Sequence, residues 1–405
     1  MNQAQAPAPV SDARSPVRHM AESDPAAEPD AGQDRGMLEW ARLRPHDGFV
    51  IGAVLRLRGP APTPGRVAAL VRARLPQLPV LAEHLDGPAR REHWRRADAF
   101  DAAQHVHRID GPADPAHCAE LMANQPVPAD RPRWGLWLID TGRHDEYLLA
   151  YRVHHAAQDG AAVAHTISRL LDARAPAVPA GDAPTSGRGA SAPPRSDSRL
   201  LAAAGVPADA LRAVSRASGA SLNDVYLAAL AGALRNWLAP AQRDQPVPVR
   251  VPFSLRLRHE RQDRGNRIGY TRVLLPVDEP AAERRLARVA EQTSCLPRDR
   301  TRRLLERMPP ELMWEHTSTV VSPGDALASA TLLGIPTPLA FDNSPVTGGL
   351  ALPPLADGHL FSTVLFLHGG HATFCATAQT RHQHVRDLPG LWAREVRELA
   401  ATTHP

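Results

Sequence analysis

The chain contains no lysine: all 47 of its basic residues are arginine. A phosphate-loop NTPase, a protein kinase with its strand lysine and a Schiff-base enzyme all depend on a lysine amine, so these classes are excluded. Cysteine is scarce as well. Cys118, Cys295 and Cys375 lie far apart, with neither zinc-ribbon nor redox spacing, and an odd, scattered set points to a reducing compartment. The net charge is only +4 over 405 residues, which speaks against a nucleic-acid partner. Long apolar runs are missing too: Val225 to Leu234 has about half the length that spans a bilayer. Residues 1–36 have no apolar core of a secretory signal. The expectation is a cytoplasmic protein without a transmembrane segment, with peripheral membrane contact left open.

Residues 1–36 also lack leucine, isoleucine and aromatics. Such a segment buries too little surface to offset its ordering entropy, so it is expected to be a disordered tail. Residues 173–198 are similar, with Val178 as the one larger aliphatic, and are expected to be a flexible Pro/Ala/Gly/Ser linker. What remains is 37–172 and 199–405. At 43% hydrophobic overall, the chain has enough apolar material for two cores.

The first of these segments alternates strand and helix patterns. Gly48–Leu57 is rich in strand formers. Thr63 and Pro64 open a helix with Val67, Leu70 and Val71 on one face. Asp114 and Pro115 open another that ends near Gln125. Gly135–Asp140 and Tyr147–Val153 read as strands, and Val163, Ile167, Leu170 and Leu171 mark a helix. In the second segment, helices are expected near 207–217 and 222–238, strands near 246–254 and 268–277, and one charged helix over 280–305. Phe361–Leu367 and His371–Ala378 form a hairpin across Gly369-Gly370, and a last helix covers 388–401. This mixed order predicts α+β layers in each segment.

The sharpest chemical feature is His154-His155-Ala156-Ala157-Gln158-Asp159-Gly160. It falls between an apolar strand and an amphipathic helix, where side chains reach a cleft. Histidine is the side chain whose ordinary pKa lets it take a proton near neutrality. The aspartate four residues on could hold the loop or orient the imidazole, and the glycine allows a tight turn.

This segment resembles the HHxxxDG signature of an acyltransferase superfamily that includes peptide-synthetase condensation domains and chloramphenicol-acetyltransferase-like enzymes. Phe100–Asp110, Gln125–Asp140, Leu222–Leu238 and Val251–Arg258, with Gly265-Asn266 beyond, resemble the wax ester synthase/diacylglycerol acyltransferase family in order and in pattern. The resemblance implies two chloramphenicol-acetyltransferase-like lobes with a tunnel between them. It implies acyl transfer from a thioester, acyl-CoA, to an alcohol, with no cofactor beyond that co-substrate. His155 would be the general base and His154 a supporting residue. Asp159 would be structural, paired with Arg256, and Gly160 would offer its N–H to the oxyanion. Asn223, in the Asn223-Asp224 pair, would support the site, or equally serve as a helix cap. Three other functions stay open: a specialised-metabolite O- or N-acyltransferase, with an acyl carrier protein as alternative donor, a non-catalytic relative that only binds a ligand or partner, and a metal-dependent hydrolase. The family's segment near the C-terminus is present here only as Asn343–Gly349 (NSPVTGG).

Other candidates weigh less. His105 and His107 read as alternate residues of one strand that face the same side, but no nearby carboxylate or cysteine completes a metal set, and no metal is expected. The arginines at 256, 258, 261, 264, 267, 284, 285, 302 and 303 read as a solvated charged face. Their alternative role is to bind coenzyme A phosphates. Trp134 and Trp137 read as core. Ser344 lacks a nucleophile-elbow context.

Overall fold

The computed structural model describes residues 32–43, 49–111, 114–174, 198–321, 326–356 and 358–402. The expected tail up to residue 31 and linker over 175–197 lie outside the described residues. The tail expectation fails at its end, however. Residues 32–36 are the first turns of helix α1 (Gly32–Leu43), in which Met37, Leu38 and Trp40 are buried. Composition was a poor guide there because three apolar residues at helical spacing were enough to dock a short helix.

The first lobe follows in the order β1 (Val50–Arg58), α2 (Pro64–Arg74), β2 (Glu83–Asp86), β3 (His93–Arg96), β4 (Val106–Asp110), α3 (Pro115–Asn124), β5 (Trp134–Asp140), β6 (Glu146–His154) and α4 (Gly160–Leu170). Thr63 caps α2 and Asp114 caps α3, each by accepting backbone N–H groups of the first turn. The second lobe contains β7 (Arg199–Pro207), α5 (Ala208–Ser218), α6 (Leu222–Trp237), β8 (Val247–Ser254), β9 (Ile268–Leu275), α7 (Ala282–Thr293), α8 (Arg298–Glu306), α9 (Pro310–Val321), β10 (Ala328–Ile335), β11 (Ala340–Phe341), β12 (Ser344–Leu352), β13 (Phe361–His368), β14 (His371–Gln379) and α10 (Leu388–Thr402). The single charged helix expected over 280–305 is therefore two. Pro297 has no N–H to donate and disfavours helical backbone at Leu296, so the chain breaks there.

Two six-stranded sheets organise the molecule, in the orders β11-β12-β1-β6-β5-β4 and β7-β14-β13-β10-β8-β9. The two-lobe, chloramphenicol-acetyltransferase-like α+β architecture is thus present, but the lobes exchange chain. β12, which carries most of Asn343–Gly349, leaves the second lobe and pairs antiparallel with β1, from Gly52↔Leu352 to Leu57↔Val346. This segment is a strand that ties the lobes together. Each sheet has its own core. Trp134, Tyr151 and Leu149 lie in the first; Tyr226, Phe374 and Trp392 lie in the second. A third, smaller cluster joins Trp40 of α1 to Phe49, with ring centroids 4.5 Å apart.

Candidate active site

β6 ends at His154, and α4 starts at Gly160, so the histidine pair sits on the turn between a buried strand and a buried helix. Successive residues there point apart. His155 lines a cavity of about 430 Å³ between the lobes, which lies within the usual range for small-molecule sites. Its walls come from β1 (Ile51, Gly52), the start of α4 (Gly160, Val163, Ala164), β8 (Pro252, Ser254), β9 (Ile268, Tyr270), β10 (Ser329, Thr331, Leu333) and the end of β12 (Leu352). His154 is buried on the other side, where its Nδ1 accepts the Ala156 N–H at 3.1 Å.

Four contacts hold His155, and a fifth ties Asn266 to Asp34. Its ring stacks on Phe49 with centroids 4.8 Å apart, and its N–H donates to the Phe49 carbonyl at 2.8 Å. Its Nδ1 is 3.0 Å from Asn266 Oδ1. Asn266 Nδ2 donates to the His155 carbonyl at 2.8 Å and to Asp34 Oδ1 at 3.0 Å. With both amide hydrogens used, Asn266 Oδ1 can only accept, so Nδ1 carries the imidazole proton and Nε2 is left as the base. Burial pushes the His155 pKa below its usual value, against the upward pull of a hydrogen bond to its own backbone and of Asp159, Asn266 and Asp34. The ring is therefore neutral at neutral pH, with its single proton on Nδ1 and a free lone pair on Nε2.

Asp159 and Arg256 meet as a buried pair. Arg256 Nη2 lies 2.9 Å from Asp159 Oδ2, with the side chains 4% and 1% exposed. Asp159 also caps α4 through the Ala162 N–H at 2.9 Å and accepts the Arg267 N–H at 2.9 Å. Arg256 in turn donates to the carbonyls of Arg261 at 2.9 Å, Arg264 at 3.0 Å and Gly265. The pair thus pins the β8–β9 loop of the second lobe against the HHxxxDG turn of the first. Gln158 adds to the clamp: it donates to the Asp263 carbonyl at 2.5 Å and bridges to Gly265. Gly265 has φ +73, and a Cβ there would lie 2.7 Å from Asp34 Oδ2, so only glycine brings this loop so close.

Gly160 lines the cavity as the first residue of α4, where N–H groups have no acceptor within the helix. Its lack of a side chain is not needed for packing, since a Cβ would meet nothing nearer than Leu333 at 3.7 Å. Asn223 does not join the site. It lies in the first turn of α6, and the cap is Ser221, whose side chain and Asp224 exchange hydrogen bonds in a capping box.

The arginine run departs from its expected solvated face in part, since Arg258, Arg284 and Arg303 are exposed while others are not. Arg264 pairs with Glu83 and Arg285 with Glu395, and both arginines are buried; Arg261 and Arg302 pair with Asp263 and Glu260. Their acids come mostly from other elements, which linear sequence does not display. His105 and His107 do not share a strand. His105 ends a short 3₁₀ turn and stacks on Trp134, whereas His107 lies in β4 and packs on Trp137. Trp134 and Trp137 are buried core. Among the described residues, no group of three or more His, Cys, Asp or Glu could hold a metal. Burial pushes the Cys118 thiol up to about 11 and the Cys375 thiol to about 12, so neither is a thiolate at neutral pH.

Composition and motif reading missed Asp34 and Phe49. The Met37-Leu38-Trp40 spacing just after Asp34 was the available signal, and it was overruled by the polar residues before it.

The sequence profile described as the wax ester synthase/diacylglycerol acyltransferase catalytic domain matches residues 50–201. A probable diacylglycerol O-acyltransferase of Mycobacterium tuberculosis is 26% identical over 317 residues, 62% of this chain and 67% of that protein. The chain is thus similar to the wax ester synthase/diacylglycerol acyltransferase family, with the profile match confined to residues 50–201. Another M. tuberculosis protein, named as a candidate diacylglycerol O-acyltransferase, is 28% identical, but the match spans only 34% of this chain and 31% of that one. The same fold is found in the wax ester synthase/diacylglycerol acyltransferase of Marinobacter aquaeolei VT8, with TM-score 0.61, 18% identity, and 88% and 95% of the two chains covered. It is also found in the first condensation domain of the CDA synthetase, with TM-score 0.62, 20% identity, and 92% and 94% covered. No helix among the described residues is long and apolar enough to cross a membrane.

The buried histidines make acid stability a test of the site's packing. Burial holds His154 at about 3 and His105 at about 4. An unfolded chain protonates these rings below its ordinary value of about 6.5, while the folded chain does not. Stability is therefore complete above that pH and falls as the solution is acidified toward the folded values. At pH 5 the loss is about 2 kcal/mol per histidine. Urea unfolding of His154→Asn, whose amide can still accept the Ala156 N–H, should lose about 2 kcal/mol less than wild type between pH 7 and pH 5. An identical loss in both proteins would contradict this.

Proposed function

We propose that this protein transfers an acyl group from a thioester, acyl-CoA, to an alcohol by direct attack. The observation that carries this reading is His155 in the wall of a cavity between the lobes, its Nδ1 3.0 Å from Asn266 Oδ1, which makes Nε2 its basic nitrogen. Nε2 takes the proton of the acceptor hydroxyl as its oxygen attacks the thioester carbonyl. The resulting oxyanion lies at the start of α4, where the Gly160 N–H and the positive end of the helix stabilise it. Collapse expels the thiolate, which takes the proton back from the imidazolium. The negative charges of Asp34 and Asp159 favour that imidazolium while it exists. His154 supports this from behind, by fixing the turn through Ala156.

A covalent acyl-enzyme finds no support. The chain has no lysine, two of its thiols are buried, and Ser254 on the cavity wall makes no hydrogen bond to His155 among the described contacts. Donor and acceptor must then be bound together, and much of the rate comes from positioning them. With acyl-CoA alone, thiol release should be slow and no acyl mass should be gained. Adding the alcohol should accelerate release, with initial-rate lines that intersect. Parallel lines, or a stable mass increase of one acyl group, would sink direct transfer. The likeness to condensation domains keeps an amine acceptor and a carrier-protein donor as the second reading. Release from an acylated carrier protein but from no acyl-CoA would select it.

A further inference from the structure

We propose that Asp34, acting through Asn266, is the positioning residue that sets the tautomer of His155, so that helix α1 completes the active site. This rests on the acyl-transfer reading, in which Nε2 must be a base. An asparagine amide has two orientations. If Asn266 turned over, its NH₂ would face Nδ1, the imidazole proton would move to Nε2, and the cavity would face an acid where a base is needed.

Two acceptors prevent the turn, Asp34 Oδ1 at 3.0 Å and the His155 carbonyl at 2.8 Å, both of which would otherwise meet the amide oxygen. Of the two, Asp34 is the ionisable one, and it is 1% exposed. Burial pushes its carboxyl pKa up while Arg267, Asn266 and Trp94 pull it down. An amide oxygen turned onto its carboxyl oxygen would leave both acceptors without a donor, which is costly out of water. Asp34 is itself fixed by the Asn266 N–H at 2.6 Å and by Trp94 Nε1–H at 3.0 Å. The left-handed Gly265 lets the loop reach it. The other ionisable groups around His155 include Asp159, answered by Arg256, His154 on the same turn, and Arg250 and His359 in the wall of the same cavity; Arg267 faces Asp34. None of them touches the Asn266 amide in the described contacts.

The experiment is ¹⁵N NMR of the histidine rings in the resting protein, with steady-state kinetics on the thioester and alcohol that wild type turns over. Wild type should show His155 protonated on Nδ1. Asp34→Ala should populate the Nε2–H form and lower kcat on the order of 10- to 100-fold, with little change in KM. Asp34→Asn keeps the volume and should lie in between, which covers the case that Asp34→Ala does not fold. Asn266→Asp alone sets two carboxylates against each other and should be worse than the double exchange Asp34→Asn/Asn266→Asp. In the exchange a carboxylate meets Nδ1–H directly, so the tautomer should return and the acid limb of the kcat/KM profile should move to higher pH. A wild-type tautomer in Asp34→Ala, or an exchange no better than Asn266→Asp alone, would overturn the proposal. The NMR result stands without turnover, so failure of the acyl-transfer reading would be seen separately.

Discussion

His155→Ala should lower acyl transfer roughly 10²- to 10⁴-fold while the protein stays folded, the usual cost of losing a positioned base. His155 faces a cavity, so its removal mainly enlarges a space already present. His154→Ala should cost less activity, because its ring points away from that cavity and serves the Ala156 N–H. The pH dependence should separate the two. The His155 pKa is pushed down from its ordinary value by burial, so wild-type kcat/KM should be flat around neutrality and fall only in acid, as the ring takes a proton. The residual rate of His155→Ala should lack that acid limb. Near wild-type turnover in a folded His155→Ala protein would remove the base assignment, and equal losses in both variants would point to a shared structural role.

Asp159→Ala should destabilise the protein by about 3–5 kcal/mol, because it leaves the Arg256 guanidinium charged and buried without its partner. The lost cap on α4 adds about 1 kcal/mol. Activity should fall along with stability, since the same pair holds the loop that carries Asn266. Arg256→Ala should look similar, and the double variant should cost clearly less than the sum of the two single ones. The measurement is a double-mutant cycle by urea unfolding, with thiol release followed on each variant. Strict additivity would mean that the carboxylate and the guanidinium do not act as a pair in solution.

The order of elements was largely open to reading from the chain. Thr63-Pro64 and Asp114-Pro115 announced α2 and α3, and short, nearly continuous apolar runs marked β5, β6 and the β13–β14 hairpin. These signals are local: a cap needs only its own first turn, and a buried strand shows its apolar run in its own residues. HHxxxDG was legible for the same reason, since one turn between a strand and a helix holds all of it. The Asp159–Arg256 pair came from family resemblance, because no local pattern joins residues 97 apart.

What tertiary structure alone decided is everything that needs two distant segments at once. β12 crosses into the other lobe, and register with β1 is a property of the pair. Arg264 and Arg285 looked like surface charge until Glu83 and Glu395 arrived from elsewhere to answer them. Asp34 is the clearest case. By composition it belonged to a tail, and its neighbours in sequence say nothing of histidine chemistry. Folding places it against Asn266, because three apolar residues behind it dock α1 and because Gly265 leaves room for its carboxylate. The HHxxxDG turn is thus written in seven consecutive residues, while Asp34, linked to its second histidine through Asn266, lies 121 positions from that histidine in the chain, a relation that exists only once both are packed out of water.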